Sequence, residues 1–296
     1  MRPSGAHEAP IGDIGVSAAG RSRLSRSVST TAVLVCACLS SALGAPDSRI
    51  PDFSSDNTAW NTDSTDFIAL PNGPQPVSFD KAHPYVPNGI GQQPTYRIAD
   101  LSNPILKPWA VERMRDANDE VLKGKAAFTA KSACWPGGVP AVLLRRFEPV
   151  FFIQTPREVW MFWQFDHQVR RIYLNKTHSA HPTPSWYGES IGRYEGDELV
   201  VDTIGLNDKS FVDNYRTPHT ERLHVVERFK MIDAGKTLQA TVTVDDPDTF
   251  NMSWSGIQRW RRVQPGPMSE EICAENNTSY FSHDVAPIPV ADKPDF

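Results

Sequence analysis

The chain has 296 residues, 40% of them hydrophobic and 22% charged, with a formal net charge of −5. That length suits one large domain or two small ones, and the composition is that of an ordinary globular protein. Twenty-five prolines are too many for a helical bundle, and no basic block is present to hold nucleic acid.

Residues 1–45 have the order of a secretory signal. Arg21, Arg23 and Arg26 precede an apolar run from about Ala32 to Leu43, which closes on Ala42-Leu43-Gly44-Ala45. The run is too short to cross a bilayer as a helix. The expectation is a cleaved signal, no transmembrane span, and a periplasmic or secreted protein. Cleavage removes four of the 30 Lys/Arg and two of the 35 Asp/Glu, leaving 26 against 33. It also removes Cys36 and Cys38, leaving Cys134 and Cys273. An even pair in an oxidising compartment is most simply a disulfide; two buried thiols are the alternative. Such a bridge would close a loop of about 140 residues, worth up to about 4–5 kcal/mol in the chain-entropy account.

Residues 46–106 are rich in Pro, Asn, Asp and Ser and lack periodicity, so they read as an extended arm laid over the domain. Pro108 fits the first position of a helix. Ala110–Phe128 carries good helix formers, with Val111, Met114, Val121 and Leu122 as a partial apolar stripe. Pro136, Gly137, Gly138 and Pro140 end that element. Eight strand-like runs follow: Phe151–Gln154, Val159–Phe165, Val169–Leu174, Ser190–Tyr194, Leu199–Thr203, Leu223–Met231, Thr237–Val244 and Ile257–Val263. Glu195-Gly196-Asp197 and Asp233-Ala234-Gly235-Lys236 read as hairpin turns. The expected fold is mainly β, an antiparallel lipocalin-like barrel of about eight strands with an N-terminal helix and extended arms. The helix and barrel span 107–265 and a proline-rich tail spans 266–296; a sandwich is the alternative.

Strand parity puts Leu223, Val225, Glu227 and Phe229 on one face, opposite Leu238, Ala240, Val242 and Val244. Glu227 is therefore a carboxylate on an apolar face. It is either a general acid or base or half of a buried ion pair with Arg259 or Arg261. His224 falls on the other face. The loop Gly205–Thr220 holds Asp208, Asp213, Tyr215, Arg216 and His219, and loops at a barrel mouth are where binding residues gather. His178 and His181 form a second cluster, but no metal-binding spacing accompanies them, so no metal or cofactor is expected. The catalytic candidates are Glu227, His219 and His224 for proton transfer, with Tyr215 and Asp202 to orient ligand or imidazole. Candidates for ligand contact are Trp163, Trp186, Tyr187, Arg216 and Arg228.

Several stretches carry a resemblance as a set. They are Cys134–Pro140, Ile153-Gln154-Thr155-Pro156, Arg171-Ile172-Tyr173, Pro184–Gly188, Gly196–Thr203, and Pro218-His219 through Glu227-Arg228. Over residues 100–265 the chain resembles a family of uncharacterised secreted bacterial β-rich proteins. The resemblance implies an exported β-rich domain and brings no reaction with it. The strand series is also similar to the lipocalin and nitrobindin barrels, by architecture alone.

The sequence thus points to an exported barrel that binds a small hydrophobic or aromatic molecule, with metal-independent acid–base chemistry as an extension. One alternative is a non-catalytic envelope scaffold that engages a partner. Another is a metal-dependent hydrolase using His178, His181, His219 or His224.

Overall fold

The structure, a computed structural model, describes residues 50–54, 58–62, 64–84, 97–125, 128–145, 149–266 and 268–273. The expected signal segment 1–45 lies outside the described residues, as does the tail from 274 onward.

In chain order the elements are β1 (Ala59–Asn61), β2 (Ile68–Ala69), α1 (Pro108–Leu122), β3 (Val150–Gln154), β4 (Glu158–Trp163), β5 (Val169–Leu174), β6 (Glu189–Glu195), β7 (Glu198–Ile204), β8 (His224–Ile232), β9 (Thr237–Asp245) and β10 (Trp254–Val263). Strands β3 to β10 lie where alternation and turn residues put them. In β9, Leu238, Ala240, Val242 and Val244 are buried and every residue between them is only half-buried. Glu195 pairs with Glu198 across the two-residue turn Gly196-Asp197. There Gly196 adopts a φ of +63°, a left-handed conformation glycine takes without steric cost.

Strands β3 to β10 are hydrogen-bonded in sequence, and β1 pairs with both β3 and β10. The sheet therefore closes as a nine-stranded barrel, with β2 adding a short pairing to β10. Every pair is antiparallel except β5–β6, which is parallel with Ile172 opposite Ser190. A closed ring of nine strands cannot alternate direction all the way round, so one parallel pair is a geometric requirement. The long connection 175–188 supplies it by returning the chain to the end where β5 began.

The expected mainly β barrel of about eight strands is what the structure shows, and it differs from the expectation in detail. The barrel is mixed rather than wholly antiparallel, and its ninth strand, β1, comes from the segment read as an arm. Helix α1 follows β1 and β2 and is not N-terminal to the barrel. It also stops at Leu122 instead of Phe128, just before Gly124 at a φ of +82°. Its buried stripe is Ala110, Met114, Asn118 and Val121, while Leu122 is exposed. Buried Asn118 accepts from the Ala99 N–H at 3.0 Å and donates to the Ala99 carbonyl at 3.0 Å. Its amide thus pairs with the backbone before α1 as a neighbouring strand would.

Side chains fill the barrel interior. Phe152 on β3, Phe229 on β8 and Trp260 on β10 meet ring to ring, with centroids 6.1 and 6.2 Å apart. Strands β3 and β8 are not neighbours, so their rings meet across the lumen. Met161, Ile172, Val201 and Val242 pack around them with no solvent exposure. The lumen is a packed core rather than a ligand chamber.

Candidate functional site

The barrel core holds an ionic constellation. Arg170, on the inward face of β5 with Ile172 and Leu174, reaches over β6 and β7 to β8. Its Nη1 donates to Glu227 Oε1 at 2.8 Å and its Nη2 to Glu227 Oε2 at 2.5 Å. The same guanidinium donates to Thr203 Oγ1 at 2.8 Å and to Ser190 Oγ at 3.2 Å. Both charged side chains are fully buried. The partner of Glu227 is thus Arg170, not Arg259 or Arg261. A carboxylate whose two oxygens are gripped by a guanidinium inside a dry core is a structural ion pair.

A second constellation lies on the outer face of β6, β7 and β8. His178 turns Nδ1 to Glu189 Oε1 at 2.9 Å and Nε2 to Asp202 Oδ1 at 3.0 Å. His224 Nε2 meets the same Asp202 oxygen at 2.9 Å. Ser179 donates to Glu189 from its N–H and its hydroxyl. Burial works to raise the Glu189 carboxyl, and these bonds outweigh it and hold it below its ordinary value. Asp202 and His224 are therefore brought together, on the opposite side of the wall from Glu227. Arg228 is on the same outer face and pairs with Glu195 and Glu198.

The third region is the barrel end onto which the β7–β8 loop, the approach to β3 and the β4–β5 turn all open. A cavity of about 570 Å³ lies there. None of its lining residues belongs to a strand. The β1–β2 connection gives Thr65 and Asp66, and Phe79 and Arg97 come from the segment before α1. The stretch before β3 gives Lys131, Gly137, Ala141, Leu144 and Arg145, and the β7–β8 loop gives Phe211 through Arg216, Val212 excepted. The turn Ala141–Leu144 seats the floor, because Gln258 of β10 donates to the Leu143 carbonyl at 3.0 Å. Asn214 ties the walls together: its Nδ2 donates to the Thr65 carbonyl at 2.8 Å and the Leu144 carbonyl at 3.5 Å.

The loop that carries Asn214 is internally braced. Asp213 accepts from the Tyr215 N–H, the Thr217 N–H and the Thr217 hydroxyl. Burial nonetheless pushes its carboxyl up to about 6. Burial, with the nearby Asp66 carboxylate, also raises the Tyr215 phenol. His219 is buried behind the cavity wall, with Ser210 Oγ 2.9 Å from its Nε2 and the Thr220 carbonyl 3.1 Å from its Nδ1. Burial lowers its pKa, favouring the neutral ring. Asp246 anchors the loop's far end by accepting from the Thr220 N–H and hydroxyl at 2.6 and 3.0 Å.

The sequence candidates are thus dispersed. Tyr215 and Arg216 line the cavity. Glu227 is in the core, His219 behind the wall, and Asp202, His224 and Arg228 outside. Trp163 is buried and stacks on Tyr187 at 6.4 Å, and Trp186 packs on Trp135 at 5.3 Å. Tyr187 donates to Gln168 Oε1 at 2.6 Å, and burial pushes its phenol up to about 12. Cys134 and Cys273 are joined in a disulfide with Cα atoms 5.5 Å apart. The sequence reading did not single out Arg97, Lys131, Arg145 or Arg170. Of these, only Arg170 carries a local signal, its inward parity with Ile172 and Leu174.

Among the described residues, no group of three or more His, Cys, Asp or Glu is placed to hold a metal ion. Nor is any helix among them long and apolar enough to cross a membrane. No family model matches the chain, and neither a curated protein nor a solved structure matches it.

Proposed function

We propose that this is an exported barrel protein that binds a small organic molecule with an apolar or aromatic body, at the barrel mouth rather than in the lumen. The observation that carries this is the pairing of a filled core with a cavity of about 570 Å³ built wholly from connecting segments. That volume is in the range of small-molecule sites. Phe79, Phe211, Tyr215 and Leu144 supply apolar wall. The order of charged, apolar and small residues before position 46 supports export. Binding, rather than turnover, is the reading supported: of the five catalytic candidates only Tyr215, an orienting one, stands on the cavity wall.

The test is native mass spectrometry of protein purified from the periplasm, beside an Ala141→Trp variant that fills the cavity. A co-purified organic molecule that the folded variant lacks is the expected result. Bound mass unchanged by the variant, or none in either protein, would remove the reading.

The filled lumen favours a second reading, a non-catalytic scaffold that engages a partner protein. Capture of a defined partner that is unaffected by Ala141→Trp would move the assignment there.

A further inference from the structure

The connection between β5 and β6 is a strap laid on the outer face of the barrel. Its ends are tied by backbone. The Asn175 N–H donates to the Gly192 carbonyl at 2.8 Å. The Ser185 N–H donates to the Gly205 carbonyl at 3.0 Å, and the Ser185 carbonyl accepts from the Asn207 N–H at 2.9 Å. From Asn175 to Ser185 every residue is exposed except His178 and Pro182, which are half-buried. Pro182 rests on Gly205, where a Cβ would come 2.8 Å from the proline ring. The middle of the strap is fastened through His178 and Ser179, which bond Glu189 of β6 and Asp202 of β7.

The fastening makes a demand on protons. His178 Nδ1 faces Glu189 Oε1 at 2.9 Å, and its Nε2 faces Asp202 Oδ1 at 3.0 Å. A carboxylate only accepts, and a neutral imidazole has a single N–H to give. Both bonds therefore form only when the ring carries both protons. With one proton, a ring lone pair is set against a carboxylate oxygen. Burial works to raise the Glu189 carboxyl, but the bonds from Ser179 and His178 hold it below its ordinary value, so it stays anionic. His224 Nε2 meets the same Asp202 oxygen at 2.9 Å, and Asp245 of β9 stands opposite His224 and accepts from the Ser253 hydroxyl. Two imidazoles thus lie among three carboxylates. The arginines of this face are engaged further along it: Arg171 of β5 with Glu158, Arg193 of β6 with Glu195, and Arg228 of β8 with Glu195 and Glu198. Lys176 and His181 belong to the strap and are exposed.

We propose that His178 is a proton-operated latch: doubly protonated, it fastens the strap to β6 and β7, and on giving one proton to solvent it releases one of them, so the strap loosens as pH rises. The latched form carries a proton that a free imidazole gives up near neutral pH. Opening is therefore favoured by rising pH, by up to about tenfold per pH unit on the alkaline side. The strap leads directly into Trp186 and Tyr187. Tyr187 shares the Gln168 Oε1 acceptor with the Gly137 N–H, and Gly137 lines the mouth cavity. The latch thus acts one connection away from that wall.

Hydrogen exchange of the purified full-length protein tests it, read by mass spectrometry at about pH 5.5 and about pH 8 and corrected for the intrinsic exchange rate. Amides of residues 176–181 should lose protection by at least about tenfold at the higher pH, while those of β8 and β9 keep theirs. His178→Ala, at a half-buried site on an exposed strap, should fold and leave the strap open at both values. Asp202→Asn should give the opposite pattern. Its amide has two N–H groups to offer the two Nε2 atoms, so a singly protonated His178 can hold that amide and Glu189 together. The strap should then stay protected at both values. Imidazole 15N NMR should show one ring proton on His178 in this variant, where the parent at the lower pH shows two. Equal strap protection at both values in the parent would overturn the latch. So would a parent-like pH dependence in either variant, or a loss of protection that β8 and β9 share.

Discussion

Arg170 and Glu227 meet inside the barrel from strands that are not neighbours, with Nη1 2.8 Å from Oε1 and Nη2 2.5 Å from Oε2. On its way the guanidinium also bonds Ser190 of β6 and Thr203 of β7. One side chain thus stitches four consecutive strands, across the single parallel pair. Desolvating two charges costs about as much as their attraction returns, so such a pair contributes little over an apolar filling, but removing one member strands the other. Glu227→Gln is expected to cost about 3–5 kcal/mol in urea unfolding, and Arg170→Met a similar amount. The double variant Arg170→Met, Glu227→Leu should recover most of that loss. Additive losses in the double variant would show that the pair stabilises the barrel outright.

Asp213 makes stability depend on pH in a defined direction. Its carboxyl is moved from 3.8 to about 6, chiefly by burial. Between those values the native protein keeps a proton that the unfolded chain has released, so stability falls as pH rises, and the cost is complete above about pH 6. Asp213→Asn removes the titration and can keep the hydrogen bonds, its Oδ1 accepting from the backbone and its Nδ2 donating to Thr217. From about pH 4 to about pH 7, unfolding free energy should shift in the variant's favour by about 2–3 kcal/mol. His219 titrates the other way. Burial lowers it from 6.5, so its contribution is lost as pH falls below that value. Both proteins carry it, and it cancels in the difference. A gap that stays constant with pH would mean that Asp213 is not desolvated.

The clasp between Asn118 and Ala99 is a compact target. Asn118→Ala leaves the Ala99 N–H and carbonyl buried without that partner, at about 1–3 kcal/mol for each group. Thermal unfolding should register a loss of at least about 2 kcal/mol, with α1 itself still helical by circular dichroism. A loss under about 0.5 kcal/mol would mean that water replaces the amide.

The disulfide cross-links residues 139 apart in sequence. Cys134→Ser with Cys273→Ser is expected to lower unfolding free energy by about 2–4 kcal/mol. The Cys134 N–H donates to the Lys131 carbonyl at 3.2 Å, so the bridge also steadies one wall of the cavity. A double variant as stable as the oxidised parent would show that the tail is held by its other contacts, such as the bond from the Asp166 N–H to the Glu271 carbonyl at 2.8 Å.

The eight strands after residue 149 were legible because alternation and turn glycines are local signals. Glu227 among apolar residues was legible for the same reason. The outward pairing of Asp202 with His224 follows from the β7–β8 register, which sets Asp202 opposite Val226. Arg170 was obscured because Val169–Leu174 reads as one apolar run with two arginines, and parity had to be applied to separate the buried from the exposed one. Strand β1 has only three residues, too few for any periodic signal, so a closed barrel was expected from the strand series but its ninth strand, and with it the parallel pair, was not. The cavity was illegible for another reason. Its walls come from four segments far apart in sequence, and only tertiary contacts such as those of Asn214 bring them together.

Ring closure has a consequence for the order of events as the chain is made. The seam joins β1 to β10, with Ala59 opposite Val263. Until Val263 has emerged, the growing sheet has two open edges and nothing to close against. The early strands must wait with unpaired backbone, a state that invites edge-to-edge association and is slow to resolve because the contact spans nearly the whole domain. Cys273 follows ten residues later, so the covalent bridge cannot form until every strand of the ring has emerged.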